Sequence, residues 1–308
     1  MWKCRVLPQF LPKLFGGTSS GDAYQVDLLS DTLKVAILKD TYSPSLGDEF
    51  YDDISGDEIT DTGYTAGGPT IGTKTITYTS GSNSFVFNAL DTYASADVDN
   101  NEARYGIIYK DTGTPATSPL IAIIDFGSVI NDPNTNGSEQ YGFQWNNVVN
   151  AIISGVTWAP GMVSWYGKAI LNAFGGETAG EDKRTDWLSD TIKCALLSSS
   201  YTPDLDSHET YSDLTDEVSG TNYTSGGETL ASKVIGFSGE KLTLSCNGPL
   251  WSNVSVSNVR WGAIYNDTNS DKPLLLLLDL RGTYSPSAED FAIGIPTTGL
   301  ATLSVAVI

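Results

Sequence analysis

The sequence predicts an all-β chain of two tandem, similar domains, β-sandwiches or β-barrel-like, each preceded by a short N-terminal helix or arm. Three observations carry that expectation. The stretch LSDTLKVAIL, Leu29 to Leu38, returns as LSDTIKCALL, Leu188 to Leu197, and the offset between Asp31 and Asp190 is 190 − 31 = 159 residues. That is the size of a domain, far longer than a solenoid repeat. Within both copies apolar and polar side chains alternate with the two-residue period of a strand that buries one face. The alternating runs are separated by turns rich in Ser, Gly, Asn and Asp. The expected division is a first repeat with its arm at 1–155, a linker at 156–163 and a second repeat at 164–308.

A chain of 308 residues is long enough for two cores of roughly 150 residues each. The formal net charge of −20 repels phosphate backbones and anionic lipid surfaces, so neither nucleic acid nor membrane is expected as a partner. Three cysteines, Cys4, Cys194 and Cys246, form no CxxC pair, which argues against a disulfide framework or a zinc site and for assembly in a reducing cytoplasm. No signal peptide is expected, since Pro8 and Pro12 interrupt the basic opening segment. The apolar run Leu274 to Leu278 is too short to span a bilayer and reads as a buried strand.

Taken in order, Met1 to Gly17 aligns with Ser164 to Gly176 through LFGG and AFGG. In the second copy Ser164 is placed to cap a helix, Trp165, Ala169, Ile170 and Ala173 recur at helical spacing, and Gly175 can end it. In the first copy the prolines predict an extended or broken segment, or an arm reaching a neighbour. Each copy then runs through the shared strand, Leu33 to Ile37 and Ile192 to Leu196, into a long acidic loop, Thr41 to Ile59 and Ser200 to Val218. Long ordered loops tend to carry contacts, so Tyr42, Tyr51, Tyr201 and Tyr211 are candidate interface residues. The double glycines Gly67-Gly68 and Gly226-Gly227 lack the GK[ST] of a phosphate loop and predict turns where a side chain would not fit.

Hairpins are expected around Ser80-Gly81-Ser82 and Ser238-Gly239-Glu240. A second, more apolar hairpin joins Ala103 to Tyr109 with Leu120 to Asp125, and Val259 to Tyr265 with Leu274 to Asp279. Arg104 and Arg260 sit where they can pair with Asp125 and Asp279, inside or at the edge of the core. A last strand is expected from each of Glu139 to Gly155 and Glu289 to Ile308, and the apolar end LSVAVI suits pairing or burial against a partner.

These paired signatures, LSDTIKCALLSSSYTPDLDSHETYSDLTDEVSGTNYTSGG and VRWGAIYNDT with KPLLLLLDLRG, resemble a group of single-domain structural proteins of tailed bacteriophages and prophages. The resemblance covers nearly all of Ser164 to Gly282, and the first copy departs from it at DEITDTGYTAGG and in its two early prolines. It implies a virion component, foremost a capsid decoration or cement protein on the head surface, assembled in the host cytoplasm as a homo-oligomer beside the major capsid protein or other virion proteins. The alternative is a tail or head fibre, or a receptor- or glycan-binding virion protein. The family has no catalytic residues, so no enzymatic activity is expected.

The residues themselves leave two chemical rivals. The lone histidine, His208, lies in DLDSHET beside Asp204, Asp206 and Glu209, but no GxSxG accompanies it and copy one has no histidine there, so a solvated loop residue is expected. The same carboxylates offer hard oxygen ligands for calcium, yet lack the glycine and terminal glutamate spacing of an EF-hand, so an acidic loop without metal or cofactor is expected.

Overall fold

In the computed structural model the described residues are 3–7, 9–17, 24–45, 47–60, 63–79, 84–90, 92–95, 102–130, 140–143, 156–158, 163–176, 180, 182–238, 241–295 and 299–305. Pro8, the turn Ser80-Gly81-Ser82, Gly239-Glu240, most of the expected strand after Glu139 and the last three residues lie outside them. The first copy runs β1 (Lys3–Val6), α1 (Phe10–Lys13), β2 (Leu33–Lys39), α2 (Tyr51–Ile54), β3 (Lys74–Thr79), β4 (Ser84–Ala89), β5 (Thr92–Ser95), β6 (Ala103–Lys110), β7 (Leu120–Asp125) and β8 (Gln140–Phe143). The second runs β9 (Val156–Trp158), β10 (Val163–Trp165), α3 (Gly167–Ala173), β11 (Ile192–Ser198), β12 (Glu228–Thr229), β13 (Ala231–Ser238), β14 (Lys241–Asn247), β15 (Leu250–Val254), β16 (Val259–Asn266), β17 (Leu274–Tyr284), β18 (Glu289–Ala292) and β19 (Ala301–Val305). The fold is all-β, and its sheets are open ladders with no closed barrel among the described residues.

The duplication is visible in the pairing. The first copy's central sheet has the order β1-β7-β6-β2, and the second's repeats it as β10-β17-β16-β11 with β12 added at the edge. In the first copy a single bridge, Lys34 to Thr70, stands where β12 stands in the second. Both expected hairpins form, β3 with β4 and β13 with β14, and the second is extended by β19 and β9. Val156–Trp158, expected as linker, therefore forms the outer strand of a sheet.

Two local expectations are corrected. Ser164 does not cap a helix: it lies in β10, opposite Leu277, and α3 begins after Tyr166 without a side-chain cap. The open edge of the strongly apolar β17 takes those residues into the sheet first. In the first copy the segment is extended over Lys3–Val6, as one of the expectations had it, and α1 follows because Pro12 falls in its first turn, where a missing N–H costs nothing. The strand β2 also differs from the one-faced reading. Leu33, Val35 and Ile37 join the main core, while Ala36 and Leu38 are buried on the other face with Tyr42, Ile54 and Tyr109. The acidic loop supplies that second cover.

The halves are joined by reciprocal contacts. The N–H of Trp187 donates to the carbonyl of Phe15 at 2.9 Å, and that of Leu28 donates to Phe174 at 3.0 Å. These are the same pair of positions exchanged, since 174 − 15 and 187 − 28 are both 159. Each short helix also packs on the other copy's hairpin, α1 on β14 and α3 on β3, although these two strands are not equivalent. Gly16 lies against the Asp186 carboxylate and Gly175 against that of Asp27. Reciprocity of this kind is the signature of a two-fold, isologous interface, here within one chain. One continuous core, from Val6 to Leu303, runs through both halves. Cys194 is fully buried and Cys246 nearly so; burial pushes the Cys246 thiol up to about 11, and both are free.

Candidate functional site

The most elaborate polar cluster occurs twice, once in each acidic loop. Glu58 is 5% exposed and accepts from the hydroxyls of Tyr51 and Tyr64 and, at 2.9 Å, from the N–H of Gly67. Tyr109 closes the ring by donating to the Gly67 carbonyl at 2.8 Å, with its ring stacked on Tyr51 at 4.6 Å. In the second copy Glu217 accepts from Tyr211, from Tyr223 at 2.7 Å, from Ser225 at 2.9 Å and from the N–H of Gly226 at 2.7 Å. Tyr265 donates to the Gly226 carbonyl at 2.9 Å. The hydroxyls of Tyr64 and Tyr223 also accept from the central strands, at Ile37 and Leu196. Each carboxylate thus pins the loop, the glycine turn and the sheet together.

Chain geometry explains the residue types. Gly68 and Gly227 have φ of +71°, and a Cβ there would lie 1.9 and 1.8 Å from the carbonyl oxygens of Val35 and Cys194. Only glycine lets the turn approach the strand so closely. Burial, with the neighbouring glutamate next, raises the hydroxyl pKa of Tyr51 and Tyr211. Both remain proton donors. The carboxylates accept three or four hydrogen bonds each, which fixes them as acceptors and leaves little capacity for a reacting group.

Of the four tyrosines expected at interface loops, Tyr42 and Tyr201 turn inward, while Tyr51 and Tyr211 are half-buried. Tyr42 and Tyr201 are 6% and 3% exposed; Tyr42 donates to Asp48 at 2.6 Å, and the Tyr201 hydroxyl contacts Tyr166 at 3.1 Å and His208 Nδ1 at 2.7 Å. Tyr51 and Tyr211 serve the clasps. These rings hold the loops instead of presenting them, because the second face of each sheet needs an apolar cover. His208 is therefore tied into the same loop. Asp204 accepts from the N–H groups of Asp206 and Ser207, and Glu209 pairs with Lys183 at 2.9 Å. Among the described residues no group of His, Cys, Asp and Glu is arranged to hold a metal.

The structure brings each expected arginine to its aspartate. Arg104 Nε lies 3.4 Å from Asp125 and its guanidinium 5.0 Å from the Tyr105 ring; Arg260 pairs with Asp279 and stacks 4.3 Å from Trp261. These side chains are a quarter to two-fifths exposed, which places both pairs at the rim of the sheets. Sequence reasoning missed Glu58 and Glu217 as hubs. Their signal was the shared spacing to Tyr64 and Gly67 and to Tyr223 and Gly226, six and nine residues on in both copies.

One further ion pair recurs in both copies, with a second lysine added in copy two. Lys34 lies 2.7 Å from Asp111, and Lys193 and Lys272 lie 2.7 and 2.8 Å from the two oxygens of Asp267. The hydrogen bond from Lys34 holds Asp111 below the usual carboxylate range. For Asp267 burial works upward, and the two lysines outweigh it. A carboxyl with a lowered folded pKa contributes stability above the unfolded value of about 3.9, and loses it as pH falls through the folded value. Asp111→Asn is expected to cost about 0.5–1 kcal/mol at pH 7. In urea unfolding the gap to the wild type should narrow as pH falls below about 3.9 and close once pH has passed the folded value; a gap that persists in strong acid would show that the pair does not act through charge.

The fold and clasps define a doubled, all-β protein whose loops are locked to its sheets. No helix among the described residues is long and apolar enough to cross a membrane. Compared with known protein families, curated proteins and solved structures, the chain matches none.

Proposed function

We propose that the chain is a non-enzymatic virion structural protein that decorates and cements the head of a tailed bacteriophage, engaging the major capsid protein through its paired loop surfaces. The reading rests on the sequence resemblance, and the observation that supports it best is the doubled clasp. Two loops that diverge in sequence keep the same carboxylate, tyrosines and glycine turn. Such a clasp spends its polar groups on rigidity, as a lattice-binding surface requires, since ordering a loop on binding costs affinity. A protein whose charge of −20 disfavours nucleic acid suits the outside of a head better than its packaged interior.

Quantitative mass spectrometry and antibody-gold labelling of purified particles test it. The expected result is copies in the hundreds on the head, in the proportion of a lattice component, and earlier rupture of heads lacking the protein on heating. A handful of copies confined to the tail or fibres would replace this reading with a receptor-binding one. Absence from particles would end both.

A further inference from the structure

The two halves provide an internal comparison, and one difference between them bears on binding. In the first half Tyr24 and Phe50 pack edge to face at 5.0 Å, with the ammonium of Lys13 lying 4.6 and 4.7 Å from their rings and bonded to Glu49. The corresponding positions of the second half, at offsets of 159 or 160, are Lys183, Thr210, Asn172 and Glu209. There the aromatic plug is gone. Lys183 now supplies the ammonium for Glu209, at 2.9 Å. Asn172, too short to replace Lys13, is 3% exposed and its Nδ2 has no hydrogen-bond partner. What remains is an open cleft of about 450 Å³ lined by Lys183, Thr210, Tyr211, Ser212, Ser270 and Lys272, with Asp271 its one carboxylate.

We propose that this cleft is a binding site for a neutral saccharide. Its volume falls within the roughly 300–1,000 Å³ of small-molecule sites, but its lining is hydroxyls and charged groups, which suits a ligand that is itself polyhydroxylated and partly wet. The two ammonium groups do not make it an anion site. Lys183 is neutralised by Glu209, the charge that Lys193 and Lys272 leave over on Asp267 is offset by Asp271, and the net charge of −20 repels polyanions at longer range. An ammonium has three N–H donors, and a hydroxyl donates once and accepts twice, so paired lysines and serines still have capacity for sugar hydroxyls. The site holds wherever on a particle the protein resides, and its test uses the isolated full chain.

The probe is a panel of neutral oligosaccharides built on glucose, galactose, mannose and N-acetylglucosamine, read by saturation-transfer NMR with polygalacturonate as the charged comparison. Wild-type protein is expected to transfer saturation to at least one neutral member. The triple graft Asn172→Lys, Lys183→Tyr, Thr210→Phe copies the first half's plug and keeps Glu209 paired, so it should fold and lose that transfer. Ser212→Trp and Ser270→Trp, at exposed positions on the lining, should lose it too and decide the matter if the graft is unstable. No transfer from any neutral member, preference for polygalacturonate, or unchanged transfer in the tryptophan variants would overturn the proposal.

Discussion

Glu58→Ala is expected to destabilise the protein by about 3–5 kcal/mol, since three donors lose their acceptor at about 1–3 kcal/mol each. The substitution removes a carboxylate that is 5% exposed and leaves the Tyr51 and Tyr64 hydroxyls and the Gly67 N–H without their acceptor. Water cannot fully replace it, since Tyr64 and Gly68, the residue after Gly67, are pressed against the central strand at Ile37 and Val35. Glu58→Gln keeps one acceptor oxygen but gives up the charge, and should cost about 1–2 kcal/mol. The second-copy variant, Glu217→Ala, should cost less, about 2–3 kcal/mol, because Glu217 is only half-buried and water can reach its donors. Urea unfolding supplies the numbers, and hydrogen exchange locates them: residues 41–60 should lose protection in Glu58→Ala before the central sheet does. A Glu58→Gln that cost nothing while Glu58→Ala kept its full cost would mean that packing, and not the charged acceptor, holds the loop.

The strands and the clasps were legible in the sequence to different degrees. Leu33, Val35 and Ile37 announce their strand by period alone, and the repeat doubles every such signal. The burial of Ala36 and Leu38 was not legible, because a period of two cannot show that the following loop folds back over the second face. For the same reason Tyr42 and Tyr201 were taken for loop-surface residues: whether a loop tyrosine turns inward depends on the sheet beneath it. Ser164 was misread because capping is a local rule, whereas β10 forms through an edge more than a hundred residues away. The junction between halves was invisible, since contacts such as Phe15 with Trp187 join one copy to the other and leave no periodic trace.

That junction makes the second large prediction. Trp187 is fully buried; its backbone N–H reaches Phe15 in the other half, and its indole N–H donates to the Ser245 carbonyl at 3.3 Å. Trp187→Ala is expected to cost about 3–5 kcal/mol, and Leu28→Ala, at the exchanged position, about 2–5 kcal/mol, the ranges for core truncations. The distribution of the loss matters more than its size. With one core running through both halves, removing Trp187 should lower the unfolding midpoint of the two halves together, although the residue belongs to the second. Pulsed alkylation of Cys194 reports on the second half, and hydrogen exchange at β2 and β6 on the first. Coincident transitions are expected in the wild type and in both variants. If β2 and β6 kept their protection after Cys194 became reactive, the reciprocal contacts would be a seam between two independent domains, and the single core inferred from Val6 to Leu303 would be wrong.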